Sequence, residues 1–168
     1  MDFDKIKQGV ELILAGIGED VNRPGLNRTP ERVAEMYGEI FAGLEATPHL
    51  KSVFPDEDPG DSIVKLRRLE FYSVCEHHLL PFFGTVEITY QPKDRVAGFS
   101  SFARLVDDLA RRPQIQERLT AQIADAIIEH LEPIGVKVVT KATQLCTCMR
   151  GTNRKRMQTI CETSRGKI

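Results

Sequence analysis

The sequence predicts an α+β domain in which two strands, two consecutive helices and two further strands follow one another, preceded by a helical N-terminal segment. Three observations carry this. Period-two stretches at 63–74, 84–90 and from 136 onward read as strands. Two adjacent amphipathic stretches at 100–111 and 113–131 read as helices. Before residue 45 two stretches, 3–17 and 29–43, keep helical spacing.

The elements follow in order. Ile6, Val10, Ile13 and Leu14 keep helical spacing over 3–17, and Gly16 and Gly18 mark its end. Thr29 is read as an N-cap with Pro30 at the first turn, and Val33, Met36, Tyr37, Ile40 and Phe41 line one face of a second helix ending near Gly43. Residues 46–61, with Pro48, Pro55, Pro59 and several acids, read as an exposed connection. The domain organisation expected is thus a helical segment 1–45, a connection 46–61 and a main domain 62–168. Ile63–Val74 and Gly84–Tyr90 form an antiparallel pair, and Pro92-Lys93-Asp94 makes a turn. Ser100 is read as the cap of a helix to about Arg111. Pro113 then opens another, carrying Ile115, Leu119, Ile123, Ile127 and Leu131 at three-to-four spacing. Gly135 starts a β-branched strand over 136–140, and the segment up to Arg150 continues it or pairs with it.

Composition excludes several classes of function. With 41% apolar and 28% charged residues among 168, the chain has enough core to fold and is not a disordered polymer. Lys and Arg number 23 against 24 Asp and Glu, so the net charge of −1 offers no global field for nucleic acid, and an anionic ligand must be held locally. Arg154-Lys155-Arg156 is read as a solvated turn. No apolar run approaches membrane-spanning length, and the acidic start Met1-Asp2-Phe3-Asp4 lacks the features of a secretory signal. A cytoplasmic, reducing location follows as the expectation, in which Cys75, Cys146, Cys148 and Cys161 remain free for metal binding or burial.

Ser73-Val74-Cys75-Glu76-His77-His78-Leu79 gathers a thiol, a carboxylate and two imidazoles at a strand end. A turn can present Cys75 and His78 to one zinc ion, and Cys146 or Cys148 can add a third ligand. The plain alternative is a buried cysteine beside two surface histidines. Four protein ligands would close a structural site, whereas three leave a position for water. On a strand, residues two apart lie about 6 to 7 Å from one another, too far for both thiolates to share an ion without a bend. The expected set is therefore Cys75, His78 and one of the Cys146/Cys148 pair, a hydrolytic centre, with His77 placed to shuttle a proton.

Cys75-Glu76-His77-His78-Leu79-Leu80-Pro81-Phe82-Phe83-Gly84 resembles the zinc-loop signature of the GTP cyclohydrolase I family. Thr29–Ala34, Gly98-Phe99-Ser100, Arg112–Thr120 and Cys146 with Arg150-Gly151 are similar to further motifs of that family, in the same order, over residues 5–168. The resemblance implies a tunnelling fold, with two helices on one face of an antiparallel sheet, and rings of five subunits paired into a homodecamer. It implies hydrolysis of the imidazole ring of GTP at C8, release of formate, and closure to 7,8-dihydroneopterin triphosphate. It further implies Zn2+ on Cys75, His78 and Cys146, proton transfer by His77, and Ser100 assisting the ribose rearrangement. Glu117 with Gln116 would anchor guanine, and Arg32, Arg104 and Arg150 would bind the triphosphate.

Three departures bear on the chemistry. Gln144 stands where the family usually has a histidine, and an amide cannot shuttle a proton, although it can orient water or bond the purine. Ser101 replaces a phosphate-contacting lysine, and Met157–Glu162 replaces a hydroxyl-rich stretch. These substitutions open two alternatives to the full reaction. One is a diverged cyclohydrolase that stops at a formamidopyrimidine or diaminopyrimidine nucleotide. The other is a non-catalytic purine- or pterin-binding protein in which Cys148 completes a four-ligand zinc site.

Overall fold

The computed structural model describes residues 1–57 and 61–168; Pro59, one of the prolines of the expected connection, lies outside the described residues. The chain divides into two compact units, Met1–Ala42 and Gly43–Ile168.

In the first unit, α1 (Phe3–Gly16) packs with α2 (Thr29–Ile40). Asp2 caps α1 by accepting from the Lys5 amide at 3.0 Å. Thr29 is the first helical residue of α2, not its cap; Arg28 holds that position and makes no side-chain capping bond. Pro30 fits the opening turn because the missing amide is one that the helix leaves unbonded anyway. Leu12 and Ile13 are exposed on α1.

The second unit carries β1 (Val53–Pro55), β2 (Val64–Cys75), β3 (Pro81–Gln91), β4 (Arg95–Ala97), α3 (Phe99–Ala110), β5 (Pro113–Gln114), α4 (Gln116–Leu131), β6 (Gly135–Gln144), α5 (Leu145–Cys148) and β7 (Thr159–Gly166). A five-stranded sheet has the order β5-β2-β3-β6-β7, antiparallel except for the short parallel β2/β5 contact. β1 and β4 pair separately as a small ribbon, so part of the expected connection is a strand. α3 buries Phe102, Leu105, Val106 and Leu109, and α4 buries Leu119, Ile123, Ile127 and Leu131. These residues and the inward row Val86, Ile88, Tyr90, Val136 and Val138 form the core, each large side chain contributing about 1.5–3 kcal/mol by leaving water.

Three sequence expectations are corrected by the structure. Pro113 does not open a helix: it pairs with β2 as part of β5, and α4 begins at Gln116 after Ile115 takes the extended cap conformation. Ser100 lies in the first turn of α3, not at its cap, because Gly98 takes the extended cap conformation. The segment after Gln144 does not continue as strand: it turns into the short helix α5, and the fourth long strand is β7, which pairs with β6 from Ala142↔Thr159 to Gly135↔Gly166. β7 alternates half-buried and exposed residues along its length, the pattern of a strand covered on one face.

Two irregularities set the site. In β2 the register jumps from Leu66↔Ile88 to Leu69↔Val86, one residue more on β2 than on β3, with Arg68 at φ 60°. This bulge changes which residues face the core, from the even-numbered Leu66 to the odd-numbered Phe71, Ser73 and Cys75. At Gly84 a Cβ would stand 1.8 Å from the Lys141 carbonyl oxygen, so only glycine allows β3 to approach β6 this closely.

Candidate active site

β2 ends at Cys75 and the chain reverses at once. The Leu79 amide donates to the Cys75 carbonyl at 2.8 Å, and the Cys75 amide donates to the Leu80 carbonyl at 2.9 Å. Leu79 takes φ 52°, an uncommon conformation for a bulky residue, held by these two bonds. The turn is fastened to the α3–α4 connection, where the Glu76 amide donates to the Gln114 carbonyl at 3.0 Å. Below it, Ser73 Oγ donates to the Ala110 carbonyl at 2.7 Å.

The consequence is a convergent donor set. Side-chain ligand atoms of Cys75, His78 and Cys146 all lie within 4.8 Å of one another, with Cys75 buried, Cys146 half-buried and His78 exposed. Two thiols and an imidazole suit a soft or borderline divalent metal, and three donors leave a tetrahedral ion one position short. Cys148 is not in this set. It lies two residues past Cys146 on the single turn of α5, where residues two apart point to nearly opposite sides, and its Sγ is 4.0 Å from Thr147 Oγ1. The helical turn, not a strand spacing, separates the two thiols. Burial first, then the neighbouring Cys75, pushes the Cys146 thiol up from its ordinary value.

Around the donors stand two of the expected residues. His77 is exposed, with Nδ1 3.9 Å from Cys75 Sγ and Nε2 3.8 Å from Glu76 Oε1. Arg150 Nη1 donates to His78 Nε2 at 3.1 Å, which occupies the one lone pair of the neutral imidazole; a metal at that nitrogen would take the place of the Arg150 bond.

Gln144 and Gln116 form a second group, joined by a 2.9 Å hydrogen bond from Gln144 Nε2 to Gln116 Oε1. The Gln116 side chain is buried, and its Nε2 donates to Thr140 and Thr159. Glu117 is exposed in the first turn of α4, and its charge, after burial, raises the Cys161 thiol on β7. Ser100 and Arg104 form a pair on α3, Arg104 Nη2 donating to Ser100 Oγ at 3.2 Å. Among the described residues neither makes a hydrogen bond to the metal-donor group. Arg32 lies on α2, in the N-terminal unit. Ser101 is fully buried, with no hydrogen-bond partner for its Oγ among the described residues.

Two features were not assigned a role from sequence. Arg118 bonds the Glu76 carboxylate and donates to Gln114 Oε1 at 2.9 Å, and the guanidinium holds the Glu76 carboxyl below its ordinary range. This clamp carries a sequence signal, the carboxylate inside the Cys-Glu-His-His run, but its partner lies 42 positions away. Thr140 and Thr120 bond to each other at 2.8 Å beneath Gln116. The only trace in the sequence is a hydroxyl interrupting the inward row Val136, Val138, Ala142.

No helix among the described residues is long and apolar enough to cross a membrane. The sequence model of the family described as GTP cyclohydrolase I matches residues 6–168. Over 169 residues the chain is 48% identical to a GTP cyclohydrolase 1 of Geobacillus kaustophilus, covering 99% of this chain and 89% of that one. It is 51% identical over 168 residues to a GTP cyclohydrolase 1 of Desulforamulus reducens, covering 98% and 89%. Among solved structures, the archaeosine synthase QueF-Like in its apo form superimposes with a TM-score of 0.53 at 19% identity, over 65% of this chain and 98% of that one, a likeness of fold. The α+β architecture is the tunnelling fold.

Proposed function

The chain belongs to the GTP cyclohydrolase I family, and from that premise we propose that it is a zinc-dependent GTP cyclohydrolase I. It opens the guanine imidazole ring of GTP, releases formate and forms 7,8-dihydroneopterin triphosphate. The observation that carries this reading is the convergence of Cys75, His78 and Cys146 with His77 beside them. Zinc held by those three residues supplies Lewis-acid activation of water near neutral pH.

The remaining work falls to the protein. His77, exposed between Cys75 and Glu76, carries protons to and from the reacting purine. Glu117 accepts from the N–H edge of guanine, a task that suits a carboxylate, with Gln116 behind Gln144 at the same site. Arg32, Arg104 and Arg150 bind the triphosphate through guanidinium forks, which needs no excess of positive charge overall. Ser100, already bonded to Arg104, assists the ribose rearrangement. All four cysteines are free thiols, which suits a reducing cytoplasm.

The assembly read from the resemblance is a homodecamer of two five-membered rings. In support, among the described residues β7 has one strand neighbour and β2 is paired on its outer side only at Val74 and Cys75, which leaves both edges for another copy.

The test is to incubate zinc-loaded protein with GTP and follow formate and the fluorescent pterin together. Equal amounts of both are expected. His77→Ala is expected to abolish formate release while zinc stays near one per chain by atomic absorption; unchanged activity refutes the proton role. A ring-opened pyrimidine accumulating without pterin refutes the complete reaction.

A further inference from the structure

A directed chain of hydrogen bonds runs from the interior to Gln144. Thr120 Oγ1 lies 2.7 Å from the Gln116 carbonyl, which can only accept, so the single hydroxyl proton of Thr120 is committed there. The Thr120–Thr140 contact of 2.8 Å must then run from the Thr140 hydroxyl to Thr120. With its proton spent, Thr140 Oγ1 accepts from Gln116 Nε2 at 3.0 Å. The carbonyls of Thr140 and Thr159, each 3.1 Å from the same Nε2, demand the same orientation, since a flipped amide would set oxygen against both. Gln116 Oε1 is therefore an acceptor, and Gln144 Nε2 donates to it at 2.9 Å.

This order fixes the far end. The Gln144 amide keeps its nitrogen inward, and its Oε1, which has no hydrogen-bond partner among the described residues, is not sealed from solvent. Gln144 is the residue from which α5 starts, two before the metal donor Cys146. Resting on the function proposed above, we propose that Gln144 is a substrate-positioning residue of fixed polarity. Its Oε1 accepts a hydrogen bond from an N–H or O–H group of the bound guanine nucleotide, and Gln116, Thr140 and Thr120 are positioning residues that hold the amide in that sense. An acceptor with no ionisable proton orients the nucleotide and takes no part in proton transfer.

The experiment compares wild type, Gln144→Met and Gln116→Met as zinc-loaded proteins with GTP, 2′-deoxyGTP and 3′-deoxyGTP. Gln144→Met keeps the side chain's length and removes the acceptor, so kcat/KM for GTP is expected to fall about 10- to 100-fold with zinc content unchanged. Gln116→Met leaves the acceptor in place but frees the amide to turn, and a smaller fall is expected. If the donor is a ribose hydroxyl, the Gln144→Met penalty disappears with the matching deoxynucleotide; if it is a base N–H, the penalty persists with both. A purely structural role would change zinc content, whichever nucleotide is used. Independently of activity, a crystal structure of metal-stripped wild type with GTP is expected to have Gln144 Oε1 within hydrogen-bond distance of a nucleotide donor. That structure decides the matter if either variant fails to fold. Wild-type turnover matched by Gln144→Met, or an amide turned with Nε2 toward the nucleotide, overturns the inference while the enzyme reading stands. Wild type that neither binds nor converts GTP overturns both.

Discussion

Cys161, on β7 opposite Thr140, is half-buried beside Glu117, and burial followed by that carboxylate's charge raises its pKa. Both causes disfavour the thiolate, so the thiol is the form the fold prefers. Whatever stability this contributes is present at low pH and lost as pH rises through the raised value. Glu117→Gln removes the second cause and leaves the first, so the pH midpoint of Cys161 alkylation by iodoacetamide, followed by intact-mass spectrometry, is expected to move down without reaching that of an exposed cysteine. An unmoved midpoint would mean that Glu117 exerts no field at β7. Residues such as Cys75 and His78 were legible in the sequence because the turn that presents them is local. The bonds joining Gln116 to Thr140 and Gln144 span 24 and 28 positions, and no short-range pattern encodes them. They arise only when α4 settles on β6.

Among the elements, the helices and their order were readable because three-to-four spacing over twelve to sixteen residues is a strong signal. The bulge in β2 was not, since a run such as Val64–Cys75 alternates acceptably on either side of it. It absorbs one extra residue, so that Leu66 and Cys75, an odd number of positions apart, both face the core; deleting Arg68 leaves an unbroken strand with the pairing to β3 unchanged and Cys75 on the same face. The expected outcome is zinc kept near one per chain by atomic absorption, with the far-ultraviolet circular dichroism retained. Gly84→Ala strikes the site from the other strand, because the new methyl meets the Lys141 carbonyl and forces β6, which leads to Cys146, away from β3. Zinc is expected to be lost in Gly84→Ala; zinc kept in that variant, or lost on deleting Arg68, would separate metal binding from this sheet geometry. β7 lacks a legible pattern because apolar Ile160 sits on its exposed face and charged Arg165 on its half-buried one, and α5 because four residues are too few for any helical period.

At the scale of the molecule, nearly balanced charge and no membrane-length helix among the described residues leave the chemistry to local groups. The arginines assigned to phosphate are dispersed over α2, α3 and the segment after α5. The assembly proposal predicts a native mass by light scattering of ten copies of an 18.9 kDa chain, with five as the smallest stable species. A monomer at micromolar concentration that retains full activity would sink the ring.

The two uncovered sheet edges also matter before any substrate arrives. Until something pairs with them, each newly made chain carries two rows of free amides and carbonyls that will accept any extended segment nearby. Assembly and aggregation then compete for the same surfaces. Refolding yield should therefore depend on the order of dilution and mixing as well as on final conditions, and the cell's interest lies in how quickly subunits meet their own kind.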